Sequence, residues 1–369
     1  MTTTFGETTT FDETTTSGGT AADPDAVQEA AGHVLGLLTG AATTAMIGIG
    51  DRLGLYRALA QAPRTSAALA AATGTHERYV REWCHQQTAA GILVHDGGTF
   101  TLPAATAAVL AAADSPAFLA GASLIVEGWY RRTEQVADAF RTGTGIAWHD
   151  QHEAVHVGTE QFFAPGYTAQ LVPVWLPALD GVVAALESGI RVADVGCGRG
   201  VTTVLMAQAF PRSEFVGYDF HEESLAAARR RATVAGVDDR VTFARADAAG
   251  YPGRDFGLVC LFDVLHDLGD PFAAAAHARR ALARGGTLML VEPYAADDAA
   301  TNVTAPLAAL GYTASAFQCL PTSLAQPGGL GLGAQAGRLP VERIVRDAGF
   351  TTFERVHADP VNTVYAARI

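Results

Sequence analysis

The chain has 369 residues, 49% of them hydrophobic, which is long enough for two or three domains around a large core. Its formal net charge is -13, which argues against nucleic acid as the main partner because phosphate binding needs a basic surface. Its four cysteines form no CxxC pair and no basic, apolar leader is visible, so we expect a cytoplasmic protein without a disulfide framework.

The first fifty residues contain a polar tail followed by an apolar stretch. Residues 1–22 repeat TTTFGE as TTTFDE, and this Thr-rich pattern cannot bury a core, so we predict a disordered tail. No formal charge occurs between Glu29 and Asp51, where the larger apolar side chains recur at helical spacing. We interpret this stretch as a buried helix at the interface of a homodimer and expect no membrane partner; a transmembrane helix is the alternative.

Residues 26–115 are expected to form a winged-helix-like dimerisation domain. DRLGLYRALAQAP, TSAALAAATG and THERYVREWCHQQTAAG are typical of short helices, with Thr65 as one N-cap candidate. ILVHDGGTFTL predicts a hairpin that turns at Gly97-Gly98. A domain of this kind binds DNA or serves as a scaffold. Arginines and acidic residues balance between residues 51 and 114, and this balance favours the scaffold.

A helical linker and substrate-pocket segment over residues 116–185 leads into alternating strands and helices. RVADV, EFVGYD, VTFARAD, FGLVCLFD and TLMLVE are short apolar runs, and helical runs such as VTTVLMAQAF separate them. This alternation predicts an α/β domain with a doubly wound parallel sheet over residues 186–369. The segment 295–338 interrupts that domain, and its length and its sequence PGGLGLGAQAG predict a flexible lid.

A glycine-rich turn follows the first strand of this domain. In VADVGCGRG, the residues Gly196, Gly198 and Gly200 let the backbone approach a ligand closely and present a helix N-terminus to negative charge. The third glycine comes one residue earlier than in NAD-binding turns, and Asp194 just before the turn is unusual for a dinucleotide site. We expect Cys197 to contribute only its backbone.

Acidic residues follow the next strands at the edge of the sheet where ligands of open α/β sheets bind. Asp219 ends the second strand and could accept both hydroxyls of a ribose, and Asp247 follows the third and could bind an adenine amino group. LFDVLHDLGDP follows the fourth strand and contains His266 among three acids. Each acid alone is explained as a turn or capping residue, as Asp270 before Pro271 would be, but their common order indicates one ligand site.

These motifs resemble those of class I S-adenosylmethionine-dependent methyltransferases. Residues 187–295 match the order of the motifs, and VERIVRDAGF, TTFERVHA and NTVYAAR resemble the last helix and closing strand pair of a Rossmann-like seven-stranded sheet. With the helical N-terminal domain, the chain resembles dimeric small-molecule O-methyltransferases. Through GTEQFFAPGY, LFDVLHDLGDP and LPTSLAQPGGLGLGAQAG it also resembles bacterial proteins labelled methyltransferases or transcriptional regulators.

The resemblance implies S-adenosylmethionine as the cofactor. The glycine loop would wrap its methionine moiety, Asp219 would hold the ribose, and Asp247 with Ala248 would meet the adenine. The expected cofactor-binding residues are Asp194, Gly196, Cys197, Gly198, Gly200, Asp219, Phe220, Asp247, Ala248, Phe262 and Asp263.

The resemblance also places a catalytic histidine after the fourth strand, where His266-Asp267 stands, and an orienting glutamate after the fifth, where Glu292 stands. A hydroxyl attacks a sulfonium methyl poorly unless its proton leaves, and an imidazole beside a carboxylate is a suitable base. We therefore expect His266, Glu292 and Asp267 to be catalytic; a structural histidine is the alternative. The family often places a second acid near the histidine, whereas the nearest counterpart here is Gln335.

Aromatic and histidine-rich runs before the sheet are candidates for an acceptor pocket. WHDQHEAVH spaces His149, His152 and His156 helically, but no fourth ligand is evident and we predict no metal. We expect methyl transfer to a small, aromatic acceptor in secondary metabolism, with O-methylation favoured over C- or N-methylation. A non-catalytic, S-adenosylmethionine-binding transcriptional regulator is the rival hypothesis. The candidate acceptor residues are Trp129, Tyr130, Trp148, His149, Phe162, Phe163 and Tyr167.

Overall fold

A computed structural model describes residues 22–369, so the tail predicted over residues 1–22 lies, except for its last residue, outside the described residues. The described residues divide into two units, residues 22–44 and residues 45–369. Helix α1 (Pro24–Arg52) begins in the first unit and contains the charge-free stretch, whose helical conformation was expected.

The apolar side chains of helix α1 are exposed in the single chain, and their burial at a subunit interface stays a prediction. Val34, Leu35, Leu37 and Leu38 are 52%, 63%, 63% and 61% exposed. Among the unbroken helices of residues 22–369, only α1 has the length and the apolar composition that a membrane-spanning helix needs. Core helices of soluble proteins meet the same criterion, so the criterion does not distinguish a membrane helix from an interface helix.

The winged-helix region has the order of elements that the sequence predicts. Thr65 caps the second of its helices, where its hydroxyl accepts a hydrogen bond from the Ala68 N–H at 3.2 Å. The hairpin turns at Gly97 and Gly98, whose φ angles of 54° and 81° suit glycine. The elements are α2 (Leu55–Gln61), α3 (Ser66–Thr73), α4 (Glu77–Ala89), β1 (Val94–Asp96), β2 (Thr99–Thr101) and α5 (Ala104–Leu110).

A helical segment follows and supplies aromatic side chains to the site. Its first and third helices cross closely because Gly158 allows it: a Cβ at this position would lie 2.6 Å from the Ile125 backbone nitrogen. A 3₁₀ turn (Trp148–Asp150) and a π-helical turn (Leu171–Trp175) interrupt the segment. The helices are α6 (Ala122–Tyr130), α7 (Thr133–Thr142), α8 (Glu153–Gln170), α9 (Leu176–Ala178) and α10 (Val182–Ser188).

The rest of the chain forms the predicted Rossmann-like sheet of seven strands, ordered β5-β4-β3-β6-β7-β9-β8. Within this sheet, the five strands that come first along the chain run parallel to their neighbours, as the sequence predicts. The last strand runs antiparallel to both of its neighbours, and its antiparallel pairing with the strand before it in the chain was also predicted. The strands are β3 (Arg191–Val195), β4 (Glu214–Asp219), β5 (Val241–Arg245), β6 (Phe256–Phe262), β7 (Leu282–Pro293), β8 (Thr352–Ala358) and β9 (Asn362–Arg368).

Helices cover both faces of this sheet. Successive residues of β3 belong to different buried clusters, Val192 to one and Ala193 to the other, because alternate side chains of a strand point to opposite faces. The order of strands and helices therefore brings the carboxyl ends of β3, β4, β5 and β6 to one edge. The connecting helices are α11 (Val201–Ala209), α12 (Glu222–Ala235) and α13 (Pro271–Ala281).

The segment predicted as a lid over residues 295–338 contains several short helices before its glycine-rich end, which is not helical. The residues just before that end are held down: Ser323 Oγ donates to the Leu268 carbonyl at 2.7 Å, and Gln326 Nε2 donates to the Asp267 carbonyl at 2.7 Å. The lid is thus fastened to the segment after β6. Its helices are α14 (Ala299–Asn302), α15 (Ala308–Ala314) and α16 (Leu320–Leu324), and α17 (Arg338–Asp347) follows.

Candidate active site

The glycine loop between β3 and α11 forms one wall of a large cavity. Gly196, Gly198 and Gly200 have φ angles of 75°, 51° and 76°. A Cβ on Gly196 would lie 2.4 Å from the Val264 side chain, so this turn has room only for glycine. The amides of Gly196 and Cys197 both donate to the Tyr218 carbonyl, at 2.7 and 3.0 Å, which folds the loop against β4.

Asp219 is the buried carboxylate of this wall, and it stands at the end of β4. One of its oxygens accepts from the Gly198 N–H at 2.9 Å and the other accepts from the His221 N–H at 2.9 Å. Burial raises the pKa of this carboxyl, and the backbone hydrogen bonds oppose the increase. Each carboxylate oxygen keeps acceptor capacity for a ligand hydroxyl.

Asp194 lies behind the loop and does not line the cavity. Its Oδ2 accepts from the hydroxyls of Thr202 at 2.7 Å and Thr203 at 2.5 Å, in the first turn of α11. Burial raises the pKa of Asp194 to about 6, although the two hydroxyls favour the ionised form. The geometry makes Asp194 a support of the glycine loop, where the sequence suggested a cofactor contact.

An ion-pair network that the sequence analysis missed fastens the glycine loop to α8. Glu160 accepts from the guanidinium groups of Arg199, within the loop, and Arg231, on α12. Arg231 also donates to the Arg199 carbonyl at 2.6 Å. The signal was present in the sequence as the acid of GTEQFFAPGY and the arginine of VGCGRG, but no local pattern pairs them.

His266 also lines the cavity and is only 3% exposed. Its Nδ1 is 2.7 Å from Oε2 of Glu292 on β7, whose Oε1 accepts from the Leu265 N–H at 3.1 Å. Its Nε2 is 3.2 Å from Oδ1 of Asp267. Burial alone would lower the pKa of His266, but the carboxylates of Glu292 and Asp267 outweigh burial and hold this pKa well above its ordinary value.

Asp270 has the capping role that its position before Pro271 suggested. Its carboxylate accepts from the Ala273 N–H at 2.8 Å at the start of α13. This leaves Asp267 and Asp263 as the acids of LFDVLHDLGDP that line the cavity.

Asp263 is a second unusual carboxyl of that segment. It has a positive φ of 55°, accepts a hydrogen bond from the Tyr167 hydroxyl, and is 3.2 Å from Asn362 Nδ2. Burial raises its pKa to about 7, against the effect of the Tyr167 hydrogen bond. A strained backbone angle and a buried carboxyl at one residue are typical of a functional position.

The cavity between these two walls has a volume of about 650 Å³ and is lined mainly by apolar side chains. Four buried polar atoms of residues in its wall have no hydrogen-bond partner: Trp129 Nε1, Thr159 Oγ1, Asp267 Oδ1 and Thr322 Oγ1. The predicted residues that line it are Trp129, Trp148, Phe162, Phe163, Tyr167, Gly196, Cys197, Gly198, Asp219, Phe220, Phe262, Asp263, His266 and Asp267.

Some predicted residues lie outside the cavity wall. Tyr130 is 63% exposed on the outer face of α6, and the His149 side chain is 61% exposed. Neither of these two predicted acceptor residues therefore lines the cavity. Asp247 accepts from the Ala249 N–H at 2.7 Å in the turn after β5. Glu292 lies behind His266. The predicted residues outside the lining are Tyr130, His149, Asp194, Gly200, Asp247, Ala248 and Glu292.

The three histidines of WHDQHEAVH do not converge on one point. His149 is exposed beside Asp150, His152 Nδ1 accepts from the Ala154 N–H at 3.1 Å at the start of α8, and His156 packs against His221. The sequence suggested helical spacing, but His149 lies in a 3₁₀ turn, His152 caps α8 and only His156 lies inside an α-helix.

The lid supplies a third wall that the sequence did not predict residue by residue. Gln335, which stands where the family often has an acid, lines the cavity and accepts from Asn302 Nδ2 at 2.9 Å. The Cys319 thiol lies beside His266 and Asp267. No local motif marks these positions. The principal lid residues in the wall are Leu307, Leu310, Ala314, Gln318, Cys319, Thr322 and Gln335.

Comparison with protein families assigns both domains. Residues 186–323 match the family described as Methyltransferase domain, and residues 41–112 match the Rv2258c-like winged HTH domain. The chain is a methyltransferase-domain protein with an N-terminal winged helix-turn-helix domain. The fold and the resemblance predicted from the sequence are thereby confirmed.

Curated relatives match little more than a quarter of the chain. The 27-O-demethylrifamycin SV methyltransferase of Amycolatopsis mediterranei is 37% identical over 107 residues, 28% of this chain and 39% of the relative. The demethylmenaquinone methyltransferase of Thermus thermophilus is 32% identical over 102 residues, 28% of this chain and 46% of the relative. The chain thus spans less than half the length of these relatives.

Solved structures match almost the whole fold at low sequence identity. An O-methyltransferase family protein from Burkholderia thailandensis has a TM-score of 0.67 and 20% identity, covering 91% of this chain and 97% of that one. Human N-acetylserotonin methyltransferase, solved in complex with SAM, has a TM-score of 0.67 and 18% identity, covering 95% and 99%. These similarities establish the architecture that joins the methyltransferase domain to the helical domain.

Proposed function

We propose that this protein transfers the methyl group of S-adenosylmethionine to a small, aromatic acceptor, with O-methylation favoured and His266 as the general base. One observation supports the proposal above all: an imidazole held by Glu292 lies in the same cavity as the glycine loop and Asp219. The assignment of the reaction to secondary metabolism rests on the similarity to the 27-O-demethylrifamycin SV methyltransferase and is part of the proposal.

The chemistry of the loop wall fits S-adenosylmethionine. Positive φ angles bring the backbone of Gly196–Gly200 to the cavity surface, and the Asp219 carboxylate retains acceptor capacity for ribose hydroxyls. Tyr167 and Asp263 line the same cavity, and Phe220 and Phe262 add apolar surface to it. Asp247 and Ala248, at the end of β5, remain our proposal for the adenine end. The bound cofactor would supply an electrophilic methyl group.

The chain's own residues would then handle the acceptor proton. Glu292 accepts the Nδ1 proton of His266, which leaves Nε2 as the atom that takes a proton from an acceptor hydroxyl. The raised pKa of His266 means that the imidazole must lose its own proton before it can act as a base. The imidazolium formed afterwards would be stabilised by Glu292 and Asp267.

The acceptor wall favours a ring with a few polar atoms. Trp129, Phe162 and Phe163 offer flat apolar surface, while the unpartnered atoms Thr159 Oγ1 and Thr322 Oγ1 offer hydrogen bonds. The lid would exclude water around the acceptor. A small aromatic molecule with hydroxyl or carbonyl groups meets these conditions.

One observation favours C- or N-methylation as a second candidate. Asp267 lies beside Nε2 of His266, the atom that a hydroxyl acceptor would have to reach. An aromatic carbon or amine can be methylated by positioning alone, without transfer of a proton to His266. A non-catalytic regulator would need a surface for DNA, and the balanced charge of residues 51–114 disfavours one.

Calorimetry with S-adenosylhomocysteine tests the cofactor part of the proposal. Asp219→Ala removes charge-assisted hydrogen bonds worth about 1.5–3 kcal/mol each, so we expect affinity to fall by about tenfold or more. Asp238→Ala, at an exposed acid in the turn before β5, is the matched control and should bind normally. The absence of binding by the unaltered protein would refute the methyltransferase proposal.

We also propose that the protein is a homodimer that pairs through α1. Five large apolar side chains on this helix are more than half exposed, and exposed apolar side chains in such number are typical of an interface. The four cysteines are free and buried, which accords with the proposed cytoplasmic location.

A further inference from the structure

A cluster of three potential metal ligands lies in the acceptor wall, where the proposed mechanism uses only one of them. The ligand atoms of His266, Asp267 and Cys319 all lie within 4.8 Å of one another. His266 and Asp267 come from the turn after β6, and Cys319 comes from the π-helical turn of the lid. Imidazole, carboxylate and thiolate are the protein ligands that zinc takes.

Within the cluster, one close contact leaves a buried oxygen without a hydrogen-bond partner. Oδ1 of Asp267 lies 3.2 Å from Nε2 of His266, yet this buried oxygen has no hydrogen-bond partner. An oxygen that close to a ring nitrogen would normally accept its proton, and a buried carboxylate oxygen without a partner costs free energy. The spacing is also that of two neighbouring ligands about 2 Å from a tetrahedral zinc ion.

We propose that His266 Nε2, Asp267 Oδ1 and Cys319 Sγ form a binding site for a thiophilic divalent cation such as Zn²⁺, with the fourth coordination position open to the acceptor cavity. Asp267 and a Cys319 thiolate would balance the two charges of the ion, so the ion and its three protein ligands would together carry no net charge. Glu292 already accepts from Nδ1 of His266, and this carboxylate–histidine contact is the usual support of a zinc-bound imidazole.

The cation and the proposed base would use the same lone pair. A zinc ion on Nε2 would prevent His266 from accepting a proton, so the loaded protein should lose methyl transfer and recover it with a chelator. Three protein ligands and one open position are typical of zinc sites that admit a further ligand, and the cavity wall gives access to all three residues. The site itself does not rest on the proposed methyl transfer.

Binding is tested on the full chain with the metal alone. Chelator-treated protein is titrated with ZnSO₄ by calorimetry and, separately, with Co²⁺, whose bond to a thiolate gives a charge-transfer absorption in the near ultraviolet. We expect one ion per chain and a charge-transfer band. Cys319→Ser should abolish the band and weaken zinc binding at least tenfold, and Asp267→Asn should weaken binding while keeping the band. Cys84→Ser, at a buried cysteine of the winged-helix region, is the matched control.

Thermal unfolding of each variant shows whether it is folded. If Cys319→Ser does not fold, zinc binding by Asp267→Asn decides whether the site exists. Failure of the unaltered protein to bind one ion per chain would overturn the proposed site. The proposal would also be wrong if both variants bound zinc as tightly as the unaltered protein. If zinc binds as described but methyl transfer continues, the cation site stands and the role of His266 as base is wrong. If zinc does not bind and His266→Ala is inactive, the proposed function stands and the cation site is wrong.

Discussion

Replacing His266 by alanine tests the proposed base directly. Loss of a general base usually costs about 10²–10⁴ in rate. Here the Asp267 carboxylate lies 3.2 Å from Nε2 and remains in the variant, where it can accept a proton less effectively. We therefore expect the loss in His266→Ala to be near the lower end, about 10²-fold. Affinity for S-adenosylhomocysteine should stay within about twofold, because Asp219 and the glycine loop are unchanged.

Glu292→Gln provides a graded second perturbation. A glutamine can still accept from Nδ1 of His266 and from the Leu265 N–H, so the orientation of the ring is retained. The negative charge is lost, and hydrogen bonds to charged partners exceed neutral ones by about 1–1.5 kcal/mol. Because about 1.4 kcal/mol corresponds to a factor of ten in rate, we expect a loss of about tenfold.

The assay follows release of S-adenosylhomocysteine in single turnovers, with phenolic and hydroxyquinone compounds as acceptors. Calorimetry on the same samples separates cofactor binding from the chemical step. His149→Ala is the matched control, because this imidazole is exposed outside the cavity and should not affect turnover.

Near-normal turnover by His266→Ala, together with a lowered melting temperature, would refute the general-base argument. The imidazole would then be structural, and the acceptor would be a nucleophile that is methylated by positioning alone. A loss of turnover that came entirely from weaker cofactor binding would also contradict the argument, since it would place His266 on the cofactor side.

Two further predictions concern pH and assembly. Burial lowers the pKa of His266, but Glu292 and Asp267 raise it by more than burial lowers it, so turnover of cation-free protein should keep rising with pH to above the usual histidine range. In Glu292→Gln the midpoint of the pH–rate profile should move to lower pH. An unmoved midpoint would exclude His266 as the titrating group. Light scattering should report a dimer for the unaltered protein and a monomer for Leu35→Glu combined with Leu38→Glu; a monomeric unaltered protein would contradict pairing through α1.

The sheet and the residues at its strand ends were predictable because their signals are local. Short apolar runs separated by helical runs fix the order of strands, and parallel strands bring their carboxyl ends to one edge. Asp219 and His266 therefore reach the same cavity although 47 positions separate their numbers in the chain. Asp194 shows the limit of this reasoning, since its carboxylate turns back to Thr202 and Thr203.

The acceptor wall was predictable only in part, because it depends on helix phase and on contacts between distant segments. Adjacent residues on a helix point about 100° apart, so Trp129 enters the cavity while Tyr130 faces solvent. Cys319 meets His266 through the lid, across more than fifty residues that carry no pairing signal. The helical conformation of α1 was predicted correctly, but hydrophobic periodicity does not predict which of its side chains are exposed.

The proposed base and the proposed cation site can be argued together, because both depend on the lone pair of His266 Nε2. Glu292 fixes the ring so that this atom faces the cavity, and Asp267 stands beside it without an accepted hydrogen bond at Oδ1. A proton, an acceptor hydroxyl and a metal ion would each satisfy that arrangement, and each excludes the other two at the same atom. Methyl transfer that is inhibited by stoichiometric zinc, in a protein whose Cys319→Ser variant is insensitive, would show that the base and the ligand are one atom.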